Sequence, residues 1–273
     1  MIEPTVEAPP GDLKVSDYRI PISSVNPHSG SRRPSGLRIV GPCALGVVVA
    51  ALSVVAQPPA HAAGRAVTFR AADGRMLTGL LMEADVRPAP AVILVPMLGR
   101  SRDDWQAVAQ RLADANIHAL AIDLPAMSLP ADLAQLLAWH EDIGAASAFL
   151  AGRPADVIAG AVGLAGASLG ANLAVVAAAA DASVRSIALV SPSLDYRGVR
   201  IDALLRQYGA RPALLMASLR DPYAARSVRE LAQDAPGLRE VRWSSVPAHG
   251  TLLLSRDPDL VRSLVEWFQQ TLG

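Results

Sequence analysis

Residues 161–174 read Ala-Val-Gly-Leu-Ala-Gly-Ala-Ser-Leu-Gly-Ala-Asn-Leu-Ala. An apolar run enters Gly166-Ala167-Ser168-Leu169-Gly170 and leaves as an Ala-rich, helix-compatible run, which is the pattern of a strand, a tight turn and a helix with Ser168 at the apex. In a G-x-S-x-G turn of this kind the serine backbone is strained and its Oγ stands out above the sheet edge. Gly166 and Gly170 are expected where a Cβ would collide with the neighbouring strand or helix. Ser168 also falls at a helix N-terminus, where unpaired N–H groups and the helix dipole favour a developing anion. The chemistry this frame suits is nucleophilic attack by a hydroxyl.

A serine hydroxyl is a poor nucleophile near neutral pH and needs a base to take its proton. Three histidines lie beyond residue 64: His118, His140 and His249. His118 falls inside a strand pattern and His140 in the middle of a helix pattern, both more suited to core or surface roles. His249 lies in Val246-Pro-Ala-His-Gly-Thr251, a loop after the last strand and just before the terminal helix, from which an imidazole can reach over the sheet edge. A lone loop histidine is usually incidental, but this one completes the order serine, acid, histidine. The acid is expected after a strand between Ser168 and His249. Asp221, in Ser218-Leu-Arg-Asp-Pro-Tyr223, is favoured over Asp195, in Ser191-Pro-Ser-Leu-Asp195, because the acid loop most often follows the later strand. Asp221 ahead of Pro222 also reads as a helix cap, a role compatible with orienting a histidine. Two N–H groups must face the developing oxyanion. Leu169, directly after the serine, offers one, and Leu98, in Pro96-Met-Leu-Gly-Arg100, is the expected second.

The elements that must hold these groups are legible as an alternation. Strand patterns fall at 67–70 and 77–82 around an Asp-Gly hairpin signal, then at 91–96, 117–123, 162–167, 187–190, 213–217 and 238–246. Helix patterns fall at 103–115, 131–150 (one long helix), 169–180, 224–233 and 259–272, with a short one at 201–208. Continuous apolar strands separated by helices predict an α/β fold with a mostly parallel sheet of about eight strands and helices on both faces. Ligands bind off the carboxyl ends of strands in such sheets.

Composition narrows the function class. The 51% hydrophobic and 18% charged residues are ample for one core, and 25 basic against 25 acidic side chains leave no electrostatic footprint for nucleic acid. Residues 1–38 are rich in Pro, Ser and Gly and read as a disordered region ending in a basic stretch, Arg32-Arg33 and Arg38. Residues 39–63 then carry an uncharged apolar run from Ile39 to Ala56 and a small-x-small site at Ala60-His-Ala62. That is the build of a cleaved secretory signal, with a retained membrane anchor as the alternative; either puts residues 64–273 outside the cytoplasm. Ser31-Arg32-Arg33 is a partial twin-arginine pattern that Pro34 and Ser35 fit poorly. The one cysteine, Cys43, falls in the removed segment, so thiol nucleophiles and cysteine metal sites are excluded from the mature chain. No phosphate loop or metal-ligand spacing is present in the sequence, and no cofactor is expected.

Taken together, elbow, oxyanion loop, Asp loop and His-Gly resemble the α/β-hydrolase superfamily over residues 65–273, with small carboxylesterases and dienelactone-hydrolase-like enzymes as the nearest subgroups. Dienelactone hydrolases proper carry a cysteine where this chain has Ser168. Pro96-Met97 replaces the family's frequent His-Gly, and Asp123-Leu-Pro-Ala126 replaces its common Asp-x-x-Gly-His-Gly. The resemblance implies acyl transfer on a small-molecule ester, with Ser168 as nucleophile, His249 as base, Asp221 as its orienting acid and an acyl-enzyme intermediate. It also implies that a lid would be inserted after the strand ending at Val190, where only residues 191–211 are available, too few for a lid domain. Met97, Leu98, Met127, Leu129, Leu194, Tyr196 and Tyr223 are candidate walls, and Arg100, Arg197 and Arg200 candidate receivers of an anionic group. The same triad serves thioesters, amides, peptides and acyl acceptors other than water. A binding protein on the same scaffold is the reading from another class.

Overall fold

The computed structural model describes residues 64–233 and 236–273. The expectations for residues 1–38 and 39–63, and Cys43 with them, lie outside the described residues. Eight strands make one sheet: β1 (Arg65–Arg70), β2 (Met76–Met82), β3 (Ala89–Val95), β4 (His118–Ile122), β5 (Val157–Ala167), β6 (Val184–Val190), and, after a small hairpin, β9 (Ala213–Ser218) and β10 (Arg239–Ser244). Their order across the sheet is β1-β2-β4-β3-β5-β6-β9-β10. β1 and β2 pair antiparallel through the Asp-Gly turn, β2 meets β4 antiparallel, and every later pairing is parallel.

The central strands β3, β4, β6 and β9 and the second half of β5 are buried on both faces, and their period-2 alternation divides the core into two layers. Ile93, Val95, Leu120, Leu164, Ile187, Leu189 and Leu215 point to one side. There they meet α3 (His140–Ala151), α4 (Leu169–Ala180) and α6 (Pro222–Gln233) through Ile143, Leu173 and Val228. Val92, Leu94, Ala165, Ala188, Val190, Leu214 and Met216 point to the other. They are covered by α1 (Gln106–Asp114) and the terminal α8 (Pro258–Leu272), with Trp105, Leu112, Leu264 and Phe268 filling the space. Each layer removes several large side chains from water at roughly 1.5–3 kcal/mol apiece, which is what makes unbroken apolar strands viable here.

Three local differences from the sequence reading have physical causes. The helix expected over 131–150 is two, α2 (Leu133–Ala138) and α3, interrupted at Trp139. The Trp139 N–H bonds to the Leu136 carbonyl three residues back, and the His140 Nδ1–H takes the Leu137 carbonyl at 2.6 Å, so the regular ladder is lost there. His140 is therefore at the start of a helix rather than its middle. The stretch before the terminal helix contains a further helix, α7 (Thr251–Arg256), directly after His249-Gly250. The last strand is Arg239–Ser244 rather than 238–246, because the Val246 N–H turns away to the Ser244 hydroxyl at 3.0 Å.

No lid domain follows β6. Residues 191–212 form the two-residue strands β7 (Asp195–Tyr196) and β8 (Val199–Arg200), then α5 (Asp202–Tyr208). Among the described residues, no helix is long and apolar enough to cross a membrane.

Candidate active site

β5 ends at Ala167 and α4 begins at Leu169, so Ser168 alone makes the turn between them, at φ 51° and ψ −119°. This is a left-handed backbone conformation that a non-glycine residue holds only when its surroundings impose it. Its N–H is fixed by the Val190 carbonyl of the adjacent strand at 2.9 Å. The two glycines are steric requirements. A Cβ on Gly166 would run into the Gly170 carbonyl, and one on Gly170 into the Val95 and Pro96 carbonyls at the end of β3. The first turn of α4 is thereby pressed against the loop that carries Leu98.

Across the sheet edge, three side chains form one hydrogen-bonded chain. The Ser168 Oγ–H donates to His249 Nε2 at 2.8 Å, and the His249 Nδ1–H donates to Asp221 Oδ2 at 2.5 Å. A carboxylate only accepts, so this arrangement puts the imidazole proton on Nδ1 and leaves the Nε2 lone pair for the serine. Burial pushes the Asp221 carboxyl up, but the hydrogen bonds from His249 and the Ala224 N–H outweigh it and hold its pKa below the usual value. The other oxygen of Asp221 accepts from the Ala224 N–H at 3.1 Å and so also caps α6, whose first residue is Pro222. The serine is 7% exposed while the His249 side chain is 38% exposed, so the chain of three opens to solvent at its imidazole.

Asp195 stands elsewhere. Its carboxylate accepts the Gly198 N–H at 2.6 Å and turns the β7–β8 hairpin, and its carbonyl accepts the Tyr223 hydroxyl at 2.8 Å. His118 is buried between the Ala84 N–H, which donates to its Nδ1, and the Asp156 carbonyl, which accepts from its Nε2–H, both at 2.9 Å. Burial pushes its pKa down, as suits a neutral core imidazole.

Leu169 is the first residue of α4, so its N–H has no carbonyl partner within the helix. Leu98 sits inside a turn closed by the Arg100 N–H on the Met97 carbonyl at 3.2 Å, with Gly99 at φ 73°, and its own N–H is not used in that turn. Of the arginines considered for anions, Arg100 is taken up by Asp104 at 2.7 Å and Arg200 faces Asp202 at 3.7 Å. Leu98, Leu129, Leu194 and Tyr196 are half-buried against the α3–α4 layer, whereas Met127 and Tyr223 are exposed.

A set of polar contacts behind the site has no counterpart in the sequence reading. Buried Asn172, one turn along α4, holds the Ser193 N–H and carbonyl and the Val199 carbonyl at 3.0 Å each, fixing the hairpin beside the site. Ser191, Ser218 and Ser244 lie at or just past the ends of β6, β9 and β10. They hold the histidine loop by the Gly250 N–H at 3.0 Å, the Val246 carbonyl at 2.5 Å and the Val246 N–H at 3.0 Å. The recurrence of serine at three strand ends is the signal that was available for them.

No family model matches the chain, and no curated protein does. Solved structures do. A dienelactone hydrolase from Anabaena variabilis is 19% identical, with a TM-score of 0.63 over 77% of this chain and 98% of that one. A Pyrococcus furiosus esterase is 16% identical, with a TM-score of 0.65 over 77% and 93%. The thermostable carboxylesterase EstE1, cloned from a metagenomic library, is 18% identical, with a TM-score of 0.59 over 77% and 88%. At these identities the likeness is one of fold.

Proposed function

We propose that this chain, which has the α/β-hydrolase fold, is a serine hydrolase acting on carboxylic esters of small or exposed acyl groups. The observation that carries the reading is the continuous chain from Ser168 Oγ through His249 to Asp221. In this reading Ser168 attacks the ester carbonyl carbon while its proton passes to His249 Nε2. The carbonyl oxygen, now negative, is met by the N–H groups of Leu98 and Leu169, a contribution of about 3–4 kcal/mol per donor in comparable sites. When the tetrahedral species collapses, the proton on Nε2 goes to the departing alcohol and the acyl group remains on Ser168. Water, giving its proton to the same nitrogen, then releases the acid. Asp221 keeps the imidazole in the tautomer this needs and stabilises its charged form.

The short 191–212 connection supports the small-acyl preference, since it supplies a hairpin and one helix beside the site rather than a domain over it. Residues 64–273 are expected to react with a fluorophosphonate probe and to hydrolyse p-nitrophenyl acetate and butyrate faster than the palmitate ester. A folded chain that neither labels nor turns over any of them sinks the hydrolase reading; turnover strongest on palmitate sinks the acyl preference.

The export reading of residues 39–63 belongs to the same proposal. Expression of the full chain in a bacterial host is expected to yield a processed protein whose N-terminus, read by mass spectrometry, begins near Ala63. An intact N-terminus in the cytoplasmic fraction counts against it.

A further inference from the structure

Arg100 lies two residues after Leu98, and Thr251 two residues after His249. Both side chains end on one carboxylate. Arg100 grips Asp104 with two hydrogen bonds, Nε to Oδ2 and Nη2 to Oδ1, each 2.7 Å. The Thr251 hydroxyl donates to the same Oδ2 at 2.8 Å. The hydrogen bonds from Arg100 hold the Asp104 carboxyl below its usual pKa, against a burial effect that raises it, and Thr251 adds to the lowering. Asp104 is therefore an acceptor on all sides at neutral pH, and the direction of the Thr251 bond follows. Thr251 is buried at 2% exposure, and it opens α7 immediately after Gly250, whose N–H is held from the other side by Ser191. Gly250 itself is confined, at φ 57°, with Met97 of the Leu98 loop against the place a Cβ would take.

We propose that Asp104 is a positioning residue that locks the Leu98 loop and the His249 loop into one register, an inference that rests on the serine-hydrolase reading. The two loops come from opposite ends of the domain sequence and carry groups that must act within the same step, one on the carbonyl oxygen and the other on the serine proton. A polar clamp between them fixes their separation where neither loop's own backbone does. Displacements of about 1 Å in such a constellation lower rates by up to roughly a hundredfold.

The test uses Thr251→Val, which keeps the shape and leaves the Arg100–Asp104 pair intact, together with Arg100→Leu, the double variant, and Thr251→Ser. Fluorophosphonate labelling rate, kcat and KM on the best p-nitrophenyl ester, and Tm are measured for each. Thr251→Val is expected to lower both labelling rate and kcat by between about ten- and a hundredfold, with KM within about twofold. Its Tm should fall by about 2–4 °C at most. Thr251→Ser, which keeps the hydroxyl, should restore the rate. Because either single change uncouples the loops, the double variant should be no slower than the slower single one. Wild-type rates in Thr251→Val overturn the inference, as do losses that multiply in the double variant or rates that follow Tm alone. If the wild-type chain itself fails to label, the serine-hydrolase reading falls and this inference with it. A wild-type chain that labels beside an unaffected Thr251→Val removes the coupling alone.

Discussion

Ser168→Ala is expected to lower kcat for ester hydrolysis by about a millionfold, with KM little changed. The size follows from what the position does in the proposed reaction. Without Oγ there is no covalent step, and His249 and Asp221 are left with no hydroxyl to activate. What remains is ester binding and the N–H groups of Leu98 and Leu169, which in comparable sites still accelerate reaction by about 10³–10⁴ over water. The fold is expected to survive, because alanine faces the same backbone demand at φ 51° that serine already meets, and the Val190 carbonyl still accepts the residue's N–H. Far-UV and near-UV circular dichroism should therefore overlay those of the wild type. Fluorophosphonate labelling should vanish, and a peptide map of the labelled wild type should place the adduct on Ser168. Hydrolysis by Ser168→Ala within about tenfold of wild type is too fast for a missing nucleophile and would move the chemistry elsewhere.

The elbow could be read from sequence because its pattern of residues is local. A strand, a turn and a helix share fourteen residues, and Gly166 answers to the Gly170 carbonyl of the same motif, although Gly170 answers to the Val95 and Pro96 carbonyls at the end of β3. The sheet was legible for a different reason: strands covered on both faces must be apolar along nearly their whole length, as β3, β4 after His118 and β9 up to Ser218 are. The front of β5 was missed because Val157–Ala161 is separated from the main pairing by a register shift, with Ala89 opposite Val157 but Ala91 opposite Val162. α7 was missed because six residues, four of them Thr-Leu-Leu-Leu, show no helical period, and β7 and β8 are two residues each. Asp221 and His249 are marked in the sequence by chain order and by their places in loops after strand patterns. That these two residues, 28 apart in sequence, meet is a property of β9 and β10, which end side by side as neighbours in the sheet. The Asp104 clamp spans 147 residues, and nothing local distinguishes it from Asp103 beside it.

Asp221→Asn is expected to lower kcat by about 10⁴-fold while leaving the backbone in place. The asparagine amide is the same shape as the carboxylate but can offer an N–H towards His249 Nδ1. That favours the tautomer with its proton on Nε2, the nitrogen that must be empty to receive the Ser168 proton. The positive imidazolium formed during the reaction also loses its charged neighbour. Asp195→Asn serves as the comparison. Its oxygen continues to accept the Gly198 N–H, the hairpin is kept, and kcat is expected to stay within about twofold of wild type. A large loss in Asp195→Asn with a small one in Asp221→Asn would exchange the two roles. Stability carries a second signature. The folded-state pKa of Asp221 lies below its ordinary value of 3.8, so its favourable contribution is present above that pH and disappears as pH falls through the folded value. The gap in urea-unfolding free energy between wild type and Asp221→Asn should accordingly be open at pH 7 and narrow steadily below about pH 4, where wild type takes up the proton that the asparagine never carries.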